Sequence, residues 1–256
     1  MKRCTLLFFA IFSFYGLSLN AQNVHFVNSG IVEFERTVNM FAILKKKAES
    51  SKSSNLQLAY ERYKQNEPQF LKLKSVLTFK DSKTFYRQGQ NDQIFESSVF
   101  GADPRYGVNG LIFHDFSKGY VEIQKNVLNE QFLIRDSVLK VKWKLTDEVR
   151  DIAGYSCRRA NGLILDSTYV VAFFTEKILS QGGPELFSGL PGMILGVALP
   201  HDNINWFATK VTEVKLDPKI FEQQLNGRPA NLKAMESTLN SVKVSNTTEL
   251  KWFLLL

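Results

Sequence analysis

Gly182-Gly-Pro-Glu-Leu-Phe-Ser-Gly-Leu-Pro-Gly-Met-Ile-Leu-Gly196 carries five glycines and two prolines in a run that is apolar except for Glu185 and Ser188. Pro191 fixes φ for the first corner of a turn, and Gly192 can take the left-handed conformation needed at the second. Leu190 and Pro191 are therefore expected at the tip of a tight turn. Met193-Ile194-Leu195 is apolar on both faces and predicts a strand that enters the core at once, with Gly196 marking a bulge or a close backbone approach. Gly182-Gly183-Pro184 predicts an earlier turn, with Leu186 and Phe187 packed between the two.

Two readings of this segment stand. As a binding loop it forms the rim of a ligand site, offering Glu185, Phe187, Ser188, Leu190 and Pro191, with the glycines letting backbone approach a partner. As a structural device, Gly183, Pro184, Gly189, Pro191, Gly192 and Gly196 shape a barrel corner or plug one open end of a sheet. The second is favoured, because the side chains supply one ionisable group and one hydroxyl.

Strand signals surround the loop. Gly30 to Val38 alternates, with Val32, Phe34 and Val38 on one side and Glu33, Glu35 and Thr37 on the other, which predicts a half-buried strand. From Ser75 to Phe174 short alternating runs follow one another between turn residues: Val76 to Phe79, Leu111 to Phe116, Tyr120 to Gln124, Phe132 to Arg135 and Val141 to Leu145. This is the pattern of an antiparallel meander. Ser117-Lys118-Gly119 and Asn161-Gly162 are expected hairpin connections. Tyr169 to Phe174 is apolar on both faces and belongs in mid-sheet or under a covering layer; Trp206 to Leu216 supplies one more strand.

Helical spacing is confined to the flanks. After the polar stretch Ser50 to Ser54, Leu56, Ala59, Tyr60 and Tyr63 recur at helical intervals until Pro68, predicting one inserted helix. Asp217 and Pro218 start a short helix that Asn226-Gly227 ends, and Leu232, Met235, Leu239 and Val242 line a second. The expected fold is mainly β with minor α: a curved antiparallel sheet or partly open β-barrel with an inserted N-terminal helix and two C-terminal helices. The apolar tail Lys251 to Leu256 is expected to dock on the sheet.

The Gly-Leu-Pro-Gly-Met-Ile run resembles the signature of the GLPGLI family, exported proteins of Bacteroidetes-type bacteria with no settled activity. Three further stretches carry the likeness: Trp143-Lys-Leu-Thr146, Ile152-Ala-Gly-Tyr-Ser-Cys157 and Arg158-Arg159-Ala160. The match runs from about Phe113 to Leu199. Met193 stands where the family has Leu, a volume-conserving change, and Tyr169-Val-Val-Ala-Phe173 stands where relatives usually have a tryptophan-containing strand. Some exported glycoamidases resemble this type in a bowl-like N-terminal accessory domain, so an adhesion or interaction module is an alternative reading.

Export is expected from the leader. Met1-Lys2-Arg3 is basic, Leu6 to Leu19 is apolar, and Ala21 offers a cleavage point, so residues 1–21 read as a signal peptide and 22–256 as a single domain. The apolar stretch is shorter than the roughly 20 residues of a membrane-spanning helix. Losing Lys2 and Arg3 takes the formal charge from +7 to +5. Periplasmic residence is the default, with secretion or surface association as alternatives. Lys45-Lys46-Lys47 reads as a solvated face, and the absence of a basic stripe interleaved with aromatics argues against nucleic acid. Beyond Cys4 of the leader there is only Cys157, so no intramolecular disulfide is expected.

Familiar catalytic patterns are missing. His25, His114 and His201 are scattered singly, and no metal-ligand spacing, nucleophile elbow, P-loop or dinucleotide fingerprint occurs. Neither a metal nor a cofactor is expected. His114 and Asp115 are strand neighbours that face opposite ways, so they are no side-by-side dyad. Cys157 shares a face with Tyr155 and Arg159; core packing is favoured over a guanidinium-stabilised thiolate. The expected function is an exported envelope binding or accessory protein, non-enzymatic, with an apolar small molecule or an envelope protein as partner. A hydrolase with dispersed carboxylates, or with His114 beside a carboxylate, is the alternative from another class.

Overall fold

Twelve strands make one sheet in a computed structural model that describes residues 25–89, 110–127, 130–164 and 168–241. The expected signal peptide and the 251–256 tail lie outside the described residues. In chain order the strands are β1 (Ser29–Asn39), β2 (Phe70–Lys80), β3 (Lys83–Gln88), β4 (Leu111–Asp115), β5 (Tyr120–Val127) and β6 (Glu130–Ser137). They continue as β7 (Lys142–Ile152), β8 (Tyr155–Ile164), β9 (Thr168–Thr175), β10 (Met193–Leu199), β11 (Ile204–Glu213) and β12 (Arg228–Ala230). The spatial order is β12-β6-β5-β4-β3-β2-β1-β11-β10-β9-β8-β7, antiparallel except for β12 on β6. Two meanders, β1 to β6 and β7 to β11, are thus joined where β11 pairs with β1.

The curvature follows from one short link. β6 and β7 are ten strand spacings apart in the sheet, yet only residues 138–141 connect them. A flat sheet would separate them by about 48 Å, whereas the link reaches at most about 18 Å. The sheet must curl until its two ends approach. It stays open: β12 is three residues long and contains Pro229, and β7 carries Lys142, Lys144, Asp147, Glu148, Arg150 and Asp151 with a register shift between Leu145 and Val149. Short edges, proline, charge and bulges all discourage further strand pairing.

Directly paired residues share a face, so register traces the core. Val32, Leu77, Tyr86, Ile112, Ile123 and Ile134 are successive partners across six strands, and all are buried. On the other wing Trp206, Val197, Ala172 and Ala160 form a second buried row that begins at Arg36 of β1. These rows line the inner face. On the outer face Phe85, Phe113 and Leu133 are covered by Phe221 and Leu225, on the strap that leads from β11 to β12.

The predicted strands are all present, with three local differences. The inserted helix is a pair, α1 (Met40–Ser51) and α2 (Ser54–Asn66). α1 starts directly from β1, its first turn capped by Asn39 Oδ1 accepting from the Ala42 N–H, and it buries Met40, Ile43, Leu44 and Ala48. No turn residue separates strand from helix there, which hides the change of period. The first C-terminal helix is a single 3₁₀ turn, Pro218–Phe221, although Asp217 caps it as expected; its apolar side chains lie on a sheet face that one turn suffices to cover. The second is α3 (Leu232–Ser241), with Met235 buried; Val242 lies outside the described residues.

The third difference concerns Asn161-Gly162, which lies within β8. The β7–β8 hairpin turns instead at Ala153-Gly154, both with positive φ (50° and 83°), which suits a tight two-residue connection. Gly162 is small for packing reasons: a Cβ there would stand 2.8 Å from the Trp143 ring. Ser117-Lys118-Gly119 does form the β4–β5 turn, with Gly119 at φ 69°.

Candidate functional site

Residues 176–192 leave β9 and cross the inner face before entering β10. Gly192 ends the crossing. Its N–H donates to the Leu190 carbonyl at 2.8 Å, closing a three-residue turn centred on Pro191 rather than the expected four-residue one. Its φ is 146°, and a Cβ would lie 2.2 Å from the Thr175 carbonyl oxygen, so no other residue fits without moving the strand. Pro191 is exposed, but Leu190 is buried. β10 then slips register between Ile194 and Gly196, the expected bulge, and Gly196 accommodates Phe207 and Ile152.

The earlier turn is Pro184 to Phe187, one step beyond the expected Gly182-Gly183-Pro184, with the Phe187 N–H donating to the Pro184 carbonyl. Leu186 and Phe187 diverge into separate apolar clusters, Phe187 tilting against Trp206 at 5.7 Å. Trp143 holds the loop from the side: its Nε1–H donates to the Ser188 carbonyl at 2.9 Å. Trp143→Phe should remove that bond and cost about 1 kcal/mol, read as a drop of roughly 2–4 °C in thermal midpoint.

Of the five residues assigned to a rim, Glu185, Phe187, Ser188 and Leu190 are buried and Pro191 alone faces solvent. Glu185 is the chemically distinctive one. It takes φ 51°, in the left-handed region, and its carboxylate is 1% exposed. Its Oε1 accepts from the Tyr86 hydroxyl (3.1 Å) and from Gln88 Nε2 (2.9 Å), and lies 3.7 Å from Arg36 Nη1. Burial pushes the carboxyl above its ordinary value, while the Arg36 and Lys125 charges pull it back. Lys125, also buried, is pushed down to about 8 by loss of water, with Glu185 opposing and Arg36 assisting. Tyr86 is raised well above its usual range by burial and by the Glu185 charge.

This polar cluster joins β1, β3, β5 and the loop, and only Glu185 was singled out from sequence. The signal for the rest was parity. Arg36 shares the alternation of Val32, Phe34 and Val38, and Lys125 that of Val121 and Ile123, so both stand on buried faces. A charged residue in a buried register is the exception that marks such a cluster.

The remaining candidates are placed apart. His114 is 2% exposed, stacked on Phe116 at 5.1 Å, and burial lowers its pKa to about 4. Asp115 turns the other way, to the backbone N–H groups of Ser117 and Lys118. His25 contacts Glu213 at the surface, and His201 lies on an exposed 3₁₀ turn. Lys45 and Lys46 are exposed on α1. Cys157 is fully buried, its thiol raised to about 12 by burial and by Asp151, and Arg159 pairs with Glu148 instead. Native protein should therefore not react with a thiol-specific maleimide at pH 8, and should react at once on unfolding. Among the described residues no group of three or more His, Cys, Asp or Glu could hold a metal ion, and no helix is long and apolar enough to cross a membrane.

Where the loop enters the sheet, a groove of about 350 Å³ opens to solvent. Its walls are Asn28, Asp81, Ser82, Phe116, Leu179 and Gln181, drawn from the lead into β1, the β2–β3 turn, the β4–β5 turn and the loop itself. The walls are tied together by main-chain bonds: Asp81 N–H to Asn28 O, Phe116 N–H to Ser82 O, and Leu179 N–H to Val27 O.

No protein-family model and no curated protein sequence matches this chain. Solved structures do resemble it in fold. PNGF-II in a C2 crystal form superposes with TM-score 0.51 at 13% identity, covering 79% of this chain and 31% of that one. PNGF-II in a P21 form gives 0.49 at 14%, over 79% and 32%. An uncharacterized conserved protein from Thermus thermophilus gives 0.40 at 4%, over 80% and 91%. The chain thus spans about a third of the length of PNGF-II, and the likeness is one of fold.

Proposed function

We propose that this chain is an exported envelope binding or accessory module of GLPGLI type, without a catalytic step of its own, that meets its partner at the open mouth of the curved sheet. The observation that carries this reading is the position of residues 176–192. The loop and the apolar rows beside it occupy the inner face, ground that an enclosed apolar ligand would need. Recognition is thereby moved outward, to the groove at the loop's entry. The one charged group that the loop carries inward, Glu185, is engaged by Arg36, Tyr86 and Gln88 and serves to seat the loop. Likeness of fold to about a third of PNGF-II favours the idea that this architecture works as one part of a larger assembly.

Two measurements test the reading. Cell fractionation with intact-mass analysis should find the protein in the envelope or medium, shortened by residues 1–21; a full-length cytoplasmic product would refute export. Photo-crosslinking in cells from Gln181 or Pro191, both exposed, should capture a discrete adduct that a crosslinker on the exposed Glu61 of α2 does not. Identical products from both positions would remove the mouth as the docking place.

A further inference from the structure

We propose that the mouth groove is a saccharide site, taking one or two rings of a neutral glycan; this rests on the binding reading above and names its ligand class. A sugar ring presents an apolar C–H face and a rim of hydroxyls, so its site needs an aromatic surface beside several small donors and acceptors. The groove has both. Phe116 is stacked on one side by His114, nearly parallel at 8°, and its remaining surface lines the groove beside Leu179, which is 52% exposed. Around them stand two amides, Asn28 and Gln181, one hydroxyl, Ser82, and one carboxylate, Asp81. Among the described residues no protein group bonds or pairs with any of these four side chains.

Two residues that neighbour the lining, though they do not line the groove themselves, also carry a buried polar atom without a hydrogen bond among the described residues. The atoms are His114 Nε2, behind Phe116, and Ser180 Oγ, between the lining residues Leu179 and Gln181; both residues are at most 2% exposed. Such buried atoms call for an explanation such as a bound water or ligand group, although Ser188 Oγ and Trp206 Nε1 share the state away from the groove. The cross-bonded walls fix the groove before a ligand arrives, which lowers the ordering cost of a weakly apolar partner.

Other ligand classes fit less well. A lipid chain needs a continuous apolar tunnel, and only two of the six walls are apolar. A phosphate or sulfate would meet a carboxylate as the only ionisable lining group. A metal cation finds no acidic cluster among the described residues.

The test is a glycan array, carrying plant, host-type and bacterial oligosaccharides, probed with the fluorescently labelled processed protein. The strongest hit is then titrated by calorimetry, alongside cellobiose, maltose and diacetylchitobiose. The expected result is binding of a neutral glycan that weakens at least tenfold in Asp81→Asn and in Phe116→Leu. Asp81→Asn keeps a residue tolerant of the left-handed φ of 51° at that turn. Gln181→Ala, an exposed change, provides a second reading if Phe116→Leu disturbs folding. A blank array, binding confined to anionic glycans, or affinity unchanged in both Asp81→Asn and Gln181→Ala overturns the saccharide assignment. A blank array together with a specific crosslinked partner leaves the binding-module reading standing, whereas loss of both removes it as well.

Discussion

Replacing Arg36 by methionine should lower the unfolding free energy by about 3 kcal/mol, the low end of the cost of breaking a buried pair, because the buried Lys125 charge still acts on Glu185. Glu185 is 1% exposed and cannot turn to water while residues 176–192 lie on the inner face. Tyr86 and Gln88 would still donate to Oε1 without carrying charge, which leaves Lys125 as the cation that acts on the carboxyl. The pH dependence supplies the sign. The folded-state pKa of Glu185 is already raised, so protonation favours the fold, and that benefit is lost as pH rises through the raised value. Without Arg36 the value rises further. Arg36→Met should therefore be less damaging at pH 5 than at pH 8 in urea titrations, and Arg36→Met/Glu185→Leu should recover part of the loss. Equal damage at both pH values would show that Arg36 acts through packing alone.

The second large effect is acid lability through His114. Burial lowers its folded-state pKa to about 4, whereas the unfolded chain takes up a proton near 6.5. A base whose folded pKa is depressed supports the fold above the unfolded value and loses that support as pH falls. Between pH 6.5 and 4 the loss should amount to roughly 3 kcal/mol, at about 1.4 kcal/mol per unit. Glu185, whose pKa is raised by burial, contributes with the opposite sign, so the informative quantity is the difference between wild type and His114→Gln at each pH. That difference should shrink steadily from pH 7 to pH 4. A constant difference would mean that His114 titrates alike in the folded and unfolded chain, as it would if local opening brought it to water.

Both effects arise from polar groups on the inner face, one at the middle and one at the entry of residues 176–192. Glu185 fastens the middle of the loop to β1 and β3, and His114 stands with Phe116 behind the groove where the loop enters. A variant that loosens either should alter the mouth as well as stability. Glycan binding and crosslinking are therefore best compared at pH 7, where His114 keeps its support of the fold.

Much of the fold is legible in the sequence. The alternations at Gly30 to Val38, Leu111 to Phe116 and Tyr120 to Gln124 are strands because a pleated chain buries every second residue. Met193 to Leu195 enters the core because it is apolar on both faces, and the bulge at Gly196 followed from a glycine inside a strand pattern. The burial of Cys157 and the separation of His114 from Asp115 followed from the same local rules. Where local rules compete, the reading slipped. Asn161-Gly162 has turn chemistry, yet it lies within a strand because Trp143 needs the space above Gly162.

The sequence by itself determined the class of fold, most of its strands and the tight turn at Pro191-Gly192, since these depend on neighbours in the chain and on a period of two. Only the tertiary structure decided which strands meet, and hence how far the sheet curls: that depends on residues 138–141 reaching across its ends. It also decided that the glycine-rich loop faces inward rather than forming a rim. Pairing of Glu185 with Arg36, 149 positions away, and with Tyr86 is a long-range event whose free energy no local pattern encodes. The same holds for the groove, whose six walls come from four separate stretches that share no motif: pairing of β1 to β4 assembles three, and the loop after β9 brings the fourth.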